Sequence, residues 1–561
     1  MVRGSPGGNG ARCERAGSVM LARLFRQLLS RAKQPVPQAL AGVDDALGRI
    51  KAGQEAEKAG RPEDAMECYE SALREFPDSA ELHAMLGNAL RALGRHDEAV
   101  AAYRQSTQLK PALAAAWYNL ALTEHELGDV EGAERDYRAA LAADPGLVTG
   151  HDSLLCLVGM GGAGRTPADV LAEHQRWAAR HAEPFRARWQ PFANVADPER
   201  RLRIGYVSAD LRYHAIACFV EPVLAHRDRA AFEIFCYDNS AGTDAVKERL
   251  KSLADHWRAI NAMGDAEVAA MVVADGIDIL VDLSGHTKGN RLLAFARKPA
   301  PVQATWLGYP NTTGLGAIDW RITDAIADPP AMTDASYSER LLRLPGSMWC
   351  YQPFDAMLEP GAGPEPGNAP TFGSMNSFPK LNAGVVKMWS RLLHAVPGSR
   401  LIVATVPAGS AQQRLLASFA AQGIAASRIE CAPKLGNEAF WRLHGRIDVA
   451  LDPFPMNGGT TTCETLWMGV PVVTLAGASF AGRAGCSILV AAGFPEWIAA
   501  SEEDYLRIAC TLVQDRSYLA QLRAGMRERL RASALLDGAA FARGLEKLYR
   551  EAWREWCAKQ G

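Results

Sequence analysis

The chain has no apolar run near the roughly 18–20 residues that a membrane-crossing helix needs, so no transmembrane segment is expected. It has no excess of one charge either. Sixty-one basic residues face 63 acidic ones, for a formal net charge of −2. A nucleic-acid backbone is therefore not expected as a partner, and any anionic ligand must be held by a local site. The eleven cysteines form no CxxC pair and no zinc-ligand spacing. Their number is odd and the chain is long, so neither a disulfide framework nor a metal site is expected. They read as reduced thiols of a cytoplasmic protein. Residues 1–19 are Gly-rich and basic but lack the apolar core and cleavage site of a signal peptide.

The first positive feature is a repeat. Between 46 and 147, Gly60, Gly94 and Gly128 stand 34 residues apart, as do Ala65, Ala99 and Ala133, then Tyr69, Tyr103 and Tyr137, then Pro77, Pro111 and Pro145. This is the tetratricopeptide pattern. Small alanines let paired helices approach, the tyrosine fills behind them, and the proline ends each second helix. Three units are visible, the first weak in its leading helix, and a degenerate fourth is expected near His151. Such an array offers a concave surface to a peptide or protein, or simply braces the next domain. Residues 1–45 read as a partly disordered extension. Its stretch from Met20 reads as a packing helix, a membrane-surface helix, or the true start of the chain.

After a helical connector at 165–198 the pattern changes. Short β-branched and aromatic runs at 202–207, 232–237, 277–283, 302–307 and 318–323 alternate with helical stretches. This alternation predicts a parallel sheet with helices on both faces. Residues 355–370, dense in Pro and Gly, read as a linker between a first domain at 199–354 and a second at 371–561. The second domain shows runs at 371–375, 400–405, 428–431, 449–451 and 470–475 and is helical from 502. The predicted architecture is a tetratricopeptide solenoid at 46–164 followed by two Rossmann-like α/β domains facing a cleft. In open α/β sheets, ligands sit beyond the carboxyl ends of the strands.

Polar clusters come directly after those runs. The densest is Asp452-Pro-Phe-Pro-Met-Asn-Gly-Gly-Thr-Thr-Thr-Cys-Glu464. Gly458 and Gly459 let backbone approach a ligand. Thr460, Thr461 and Thr462 open a helix whose free amides suit phosphate. Glu464 reads either as the acidic end of a Thr-x-x-Glu capping box or as a carboxylate that accepts from a ribose diol. Two glycines and three threonines exceed what a cap requires, which favours the second reading. There is no Walker motif.

Gly373-Ser-Met-Asn-Ser-Phe-Pro-Lys380 supplies a lysine able to neutralise a diphosphate leaving group, or an ordinary surface lysine. Ser208-Ala-Asp-Leu-Arg-Tyr-His214 supplies a histidine able to orient or deprotonate an acceptor hydroxyl, or a loop cap. Asp282 and His286, and Tyr309 and Thr312 of the turn after 302–307, are candidates for the acceptor or sugar side.

Taken together, these residues resemble the O-linked N-acetylglucosamine transferase family, with its bacterial homologues and the related SPINDLY-type O-fucosyltransferases of plants. The resemblance runs from about residue 46 to the C-terminus. It rests on the repeats, Arg203-Ile-Gly-Tyr-Val-Ser-Ala-Asp with His214, Gly285-His-Thr-Lys-Gly, Pro299-Ala-Pro-Val-Gln-Ala-Thr-Trp-Leu-Gly-Tyr-Pro, Asn376 to Lys380, and Asn457-Gly-Gly-Thr-Thr-Thr. It implies an inverting, metal-independent transferase of the GT-B fold that needs no cofactor beyond a nucleotide-sugar co-substrate, UDP-GlcNAc. It implies that Asn376, Ser377, Lys380 and the 458–462 segment line the donor, with Lys380 on the diphosphate and Thr460 and Thr461 on its phosphates. Glu464 stands for the family's ribose-binding acid, Ala432 and Lys434 match the uracil-side loop, and His214 matches the active-site histidine.

Departures from the animal enzymes are Gly459 and Asp278 where they have histidine, Ser377 where they have glutamine, a linker where they insert a domain, and a shorter repeat arm. Two alternatives stay open: the same fold using UDP-glucose or GDP-fucose, and a repeat scaffold that binds a nucleotide sugar without turning it over.

Overall fold

The computed structural model of the protein describes residues 36–560 apart from 162, 163, 362 and 365–368, with backbone alone for 36–44. The stretch from Met20 lies outside the described residues, as does most of the 1–45 extension. The helical array starts earlier than the sequence pattern suggests, because a helix runs Val36–Lys58. The chain divides into two compact units, Met1–Leu154 and Leu155–Gly561.

The first unit is built from helix pairs: Val36–Lys58 with Pro62–Glu75, Ala80–Ala92 with His96–Leu109, and Ala114–Glu126 with Val130–Ala143. Gly60, Gly94 and Gly128 join each pair at φ of 68°, 75° and 75°, a left-handed conformation that glycine takes without steric cost. The repeating alanines and tyrosines are fully buried. Two further glycines explain how. A Cβ on Gly53 or Gly87 would stand 2.6 Å from the ring of Tyr69 or Tyr103, so each tyrosine packs where only a bare helix backbone leaves room. Helix Val148–Val158 stands where the fourth unit is expected.

The second unit holds helix Pro167–His181, opened by a Thr166/Asp169 capping box, and two sheets. The first sheet contains β1 (Leu202–Ser208), β2 (Phe232–Asp238), β3 (His256–Ala259), β4 (Ile279–Asp282), β5 (Val302–Thr305), β6 (Trp320–Asp324) and β7 (Arg340–Leu344) in the order β3-β2-β1-β4-β5-β6-β7. The second contains β8 (Thr371–Ser374), β9 (Arg400–Val403), β10 (Ile429–Cys431), β11 (Val449–Leu451), β12 (Val472–Leu475) and β13 (Ile498–Ala499) in the order β10-β9-β8-β11-β12-β13.

All pairings are parallel; Ile204, for example, pairs with Ile234 on one side and Ile279 on the other. Interior strands such as β4 are buried along their length, as expected for a parallel sheet covered on both faces. Strands β3 and β7 escape the sequence pattern because they are edges: His-Trp-Arg-Ala and Arg-Leu-Leu-Arg-Leu keep charge and partial exposure. Each sheet reverses its strand order once, between β1 and β4 and between β8 and β11.

The last helix corrects one boundary. The pattern places 502–561 with the second domain, but helix Gly538–Ala558 crosses back to the first sheet. Phe541 stacks on Trp306 at 5.8 Å, the Tyr549 and Tyr206 hydroxyls lie 3.1 Å apart, and Trp553 Nε1 donates to the Asp197 carbonyl at 2.9 Å. An amphipathic pattern shows that a face is buried, not which sheet buries it. The outgoing and returning segments run together: Tyr351 N–H donates to the Leu535 carbonyl at 2.7 Å, and Arg527 ion-pairs with Glu359 at 2.9 Å.

Candidate functional site

At the reversal of the second sheet, β8 and β11 are neighbours, and the segments that leave them meet. After β8 the chain passes Asn376 and Ser377 and enters a short 3-10 turn, Phe378–Lys380, with a proline in its first positions. Thr405, at φ of 61°, clamps this turn: its hydroxyl accepts from Phe378 N–H at 3.0 Å and donates to the Asn376 carbonyl at 3.1 Å. A threonine held in the left-handed region is strained, and such strain collects at functional loops.

After β11 comes the buried Asp452, then a loop with a cis Phe454–Pro455 bond, then helix Thr460–Trp467 with Gly459 as its N-cap. A Cβ on Gly458 would collide with the hydroxyl of Thr462 and stand 2.8 Å from that of Thr461. The glycine is thus what lets the loop close onto the helix start.

Lys380 is half-buried, and its Nζ donates to Asn376 Oδ1 at 2.9 Å and to the Asn457 carbonyl at 2.8 Å. Burial pulls the ammonium down to about 8, against the opposing charge of Asp452. Thr461 Oγ1 donates to the same Asn376 Oδ1 at 3.3 Å. The amides of Thr460 and Thr461 lie in the first turn, where helix geometry provides no acceptor. Three buried polar atoms around this point, Ser374 Oγ, Asn457 Oδ1 and Thr462 Oγ1, have no protein partner among the described residues. Such atoms are what a bridging water or a polar ligand satisfies.

Glu464 is not part of a capping box: its helix begins at Thr460 and is capped by Gly459 without a side-chain bond. Burial pushes its carboxyl up to about 7, and a hydrogen bond from the Trp441 side chain opposes the rise. Its charge reaches Tyr213 of the first half, whose phenol is pushed up to about 12 by burial first and by Glu464 second. Tyr213 stacks on Phe354 at 4.3 Å and accepts a 3.0 Å hydrogen bond from Asn437 Nδ2. The two halves therefore face each other across Glu464. Ala432 is buried, its amide bonded to the Val403 carbonyl at 2.8 Å, and Lys434 and Ser377 are exposed at the same strand ends.

In the first half, His214 is partly exposed. Its Nδ1 accepts from Ile216 N–H at 3.3 Å, which places the proton of the neutral ring on Nε2, 3.7 Å from Asp210 Oδ1. Burial pulls the imidazole below its ordinary value, with Asp210 opposing.

The other four first-half candidates turn inward, contrary to the sequence expectation. Asp282 is buried and accepts from Ser284 N–H, Gly285 N–H and Thr305 Oγ1 at 3.1, 2.8 and 2.8 Å. His286 Nε2 bonds the Thr313 carbonyl at 2.8 Å, with its ring against Trp177 at 4.7 Å. The Tyr309 hydroxyl meets His174 Nε2 at 2.7 Å and the Leu155 carbonyl at 3.0 Å. Thr312 Oγ1 donates to Glu339 Oε2 at 2.6 Å. The physical reason is local satisfaction with partial cover: Asp282, His286 and Thr312 bond to neighbouring loops and Glu339, while helix Pro167–His181 meets the Tyr309 hydroxyl through His174 and the His286 ring through Trp177.

Conversely, Asp452, Asn457 and Tyr213 belong to the arrangement although the sequence patterns that single out their clusters assign them no role of their own, and Trp441 lies in none of those clusters. The signals in the sequence are that Asp452 directly succeeds a strand and that Asn457 and Tyr213 adjoin the candidate residues.

Residues 176–357 and 364–545 match the model of Glycosyl transferase family 41, and residues 50–114 and 114–147 match tetratricopeptide repeat models. A protein of Petunia hybrida named as a probable UDP-N-acetylglucosamine--peptide N-acetylglucosaminyltransferase SPINDLY is 40% identical over 403 residues, 69% of this chain and 42% of that one. A UDP-N-acetylglucosamine--peptide N-acetylglucosaminyltransferase of Caenorhabditis elegans is 25% identical over 475 residues, covering 64% and 41%. The chain thus spans about two fifths of the length of these curated relatives. Among solved structures, an O-GlcNAc transferase of Thermobaculum terrenum superposes with a TM-score of 0.83 at 36% identity, over 93% of this chain and 99% of that one.

Proposed function

The chain belongs to glycosyl transferase family 41, and we propose that it moves a sugar from a nucleotide-sugar donor to Ser or Thr hydroxyls of proteins, with inversion and without a metal. The observation that carries this reading is the convergence of Lys380, the Thr460–Trp467 helix start and Glu464 at one strand-order reversal. Two of the three ammonium donors of Lys380 are held by protein acceptors, which leaves a third for a phosphate oxygen.

The acceptor hydroxyl oxygen attacks the anomeric carbon from the face opposite the nucleotide and gives up its proton to the departing diphosphate. The bond to the diphosphate breaks, and its electrons pass to the leaving phosphate oxygen. Lys380 and the amides of Thr460 and Thr461 meet the charge that grows there, so the leaving group needs no divalent ion. Glu464, when ionised, accepts from the ribose diol. Ala432 and Lys434 flank the base. His214 carries its proton on Nε2 and so positions the acceptor as a hydrogen-bond donor.

The names of the relatives support UDP-GlcNAc as the donor and a protein as the acceptor, presented in part by the tetratricopeptide unit. The ten cysteines among the described residues are free thiols, which suits a reducing cytoplasm. No helix among the described residues is long and apolar enough to cross a membrane.

Intact-mass analysis of acceptor proteins incubated with UDP-GlcNAc, UDP-glucose or GDP-fucose tests the reading. A gain of one N-acetylhexosamine is expected. Labelling from GDP-fucose alone overturns the donor assignment, and tight UDP binding with no labelling favours the non-catalytic scaffold.

A further inference from the structure

Asp452 is 1% exposed and is enclosed by four separate elements. Its Oδ1 accepts from Gly458 N–H at 2.7 Å and from Asn376 Nδ2 at 3.2 Å, and its Oδ2 accepts from Thr474 Oγ1 at 2.8 Å. Helix Ala484–Ala492 leaves space for it with Gly485, where a Cβ would stand 2.7 Å from Oδ2. The Tyr505 hydroxyl donates to its carbonyl at 3.1 Å. Burial raises the Asp452 carboxyl above its ordinary value, and the charge of Lys380 with the Thr474, Gly458 and Asn376 hydrogen bonds opposes that rise. Three donors aimed at its two oxygens favour the ionised form, which only accepts.

That has a directional consequence. An acceptor-only partner forces Asn376 to present its Nδ2 to Asp452, so Asn376 Oδ1 must face the other way. There it receives Lys380 Nζ and Thr461 Oγ1. One carboxylate oxygen therefore ties the segment after β8 to the segment after β11, and sets which end of an amide meets the lysine.

We propose that Asp452 is a positioning residue of the transfer reaction, holding Asn376 and Gly458 so that the Lys380 ammonium and the threonine helix start face the same diphosphate. The inference rests on the transferase reading for its functional part. Its structural part does not, because Asp452 and Lys380 are coupled whether or not sugar is moved. Asp452 is the charged group that opposes the burial of Lys380, so its loss moves the lysine titration to lower pH.

The test compares wild type, Asp452→Asn and Thr474→Val. Lys380 is acetylated with acetic anhydride across a pH series and read by peptide mass spectrometry, which needs no nucleotide. The expected result for Asp452→Asn is a labelling midpoint at lower pH and a fall in kcat on the order of 10- to 100-fold, the scale seen when partners that orient a reactive group are removed. KM for the acceptor stays within about twofold, because Asp452 acts on the leaving group's surroundings. Its descending pH limb moves to lower pH with the labelling midpoint.

Thr474→Val keeps the charge, so the midpoint holds while kcat falls severalfold. This milder variant decides the matter if Asp452→Asn does not fold. An Asp452→Asn protein with wild-type melting, labelling midpoint and kcat overturns the proposal. So does a Thr474→Val protein with wild-type kcat where Asp452→Asn fails to fold. Wild-type protein that labels no acceptor while the Asp452→Asn midpoint still shifts overturns the transferase reading instead and leaves the Asp452–Lys380 coupling standing.

Discussion

The two α/β halves place similar polar residues at equivalent positions and put them to opposite uses. In the second half, Lys380, Thr460, Thr461 and Glu464 come after strands at the point where strand order reverses, and they stay partly accessible. In the first half, Asp282, His286, Tyr309 and Thr312 also lie at strand ends, yet all four are buried and bonded to the scaffold. What differs is how their polar atoms are used up. Helix Pro167–His181 brings His174 to Tyr309 and Trp177 to His286, and neighbouring loops and Glu339 take Asp282 and Thr312, whereas Ser374 Oγ, Asn457 Oδ1 and Thr462 Oγ1 in the second half have no partner among the described residues. A strand end is the expected address for a site in this fold, but whether its polar groups stay available depends on what the neighbouring elements bond to them.

The contrast can be broken most directly at Lys380. Lys380→Ala is expected to lower transfer by about 10²- to 10³-fold, the scale of losing one preorganised donor to a developing charge, with little change in melting temperature. Initial rates and thermal melts check both halves of that statement; a large loss of stability would put Lys380 with the framework group.

The mirror experiment is His174→Ala, which orphans the buried Tyr309 hydroxyl on one side. It is expected to cost on the order of 1–3 kcal/mol in urea unfolding, while UDP affinity by titration calorimetry stays near wild type. Weakened UDP binding without destabilisation would give the first-half cluster a chemical role.

Acidity sharpens the contrast within the second half. Glu464 must lose its proton to accept from a ribose, and this occurs as pH rises through about 7. Lys380 must keep its proton to meet the diphosphate, and it loses it as pH rises through about 8. In the free enzyme, kcat/KM for the donor is therefore expected to be bell-shaped, rising through the first value and falling beyond the second. A flat profile from pH 6 to 9 would separate these groups from donor capture.

The smallest effect is expected at the contact between halves. Tyr213→Phe removes one exposed hydrogen bond to Asn437, worth about 0.5–1.5 kcal/mol, and should weaken UDP binding less than tenfold.

Local grammar was readable and distant pairing was not. The 34-residue repeat, the strand-helix alternation and the Gly-Gly-Thr-Thr-Thr helix start are patterns over a few neighbouring residues, and all appear in the structure as expected. The edge strands β3 and β7 were missed because charge at an edge hides the period of the strand. Asp452 meets Asn376 across 76 residues and His174 meets Tyr309 across 135. No spacing rule reaches that far, so the hub of the second half and the cover of the first were both invisible. The last helix was misplaced for the same reason.

That last helix has a mechanical meaning. Because the chain returns to the first half, the two halves are tied by two segments, and these are bonded to each other where Tyr351 meets Leu535. Two strands fastened side by side form a spine along one edge. Two connections bonded side by side restrain the halves against twisting and sliding past one another more than a single connection would. The register between the strand ends of the two sheets is thereby fixed from two directions along the chain, once on the way out and once on the way back.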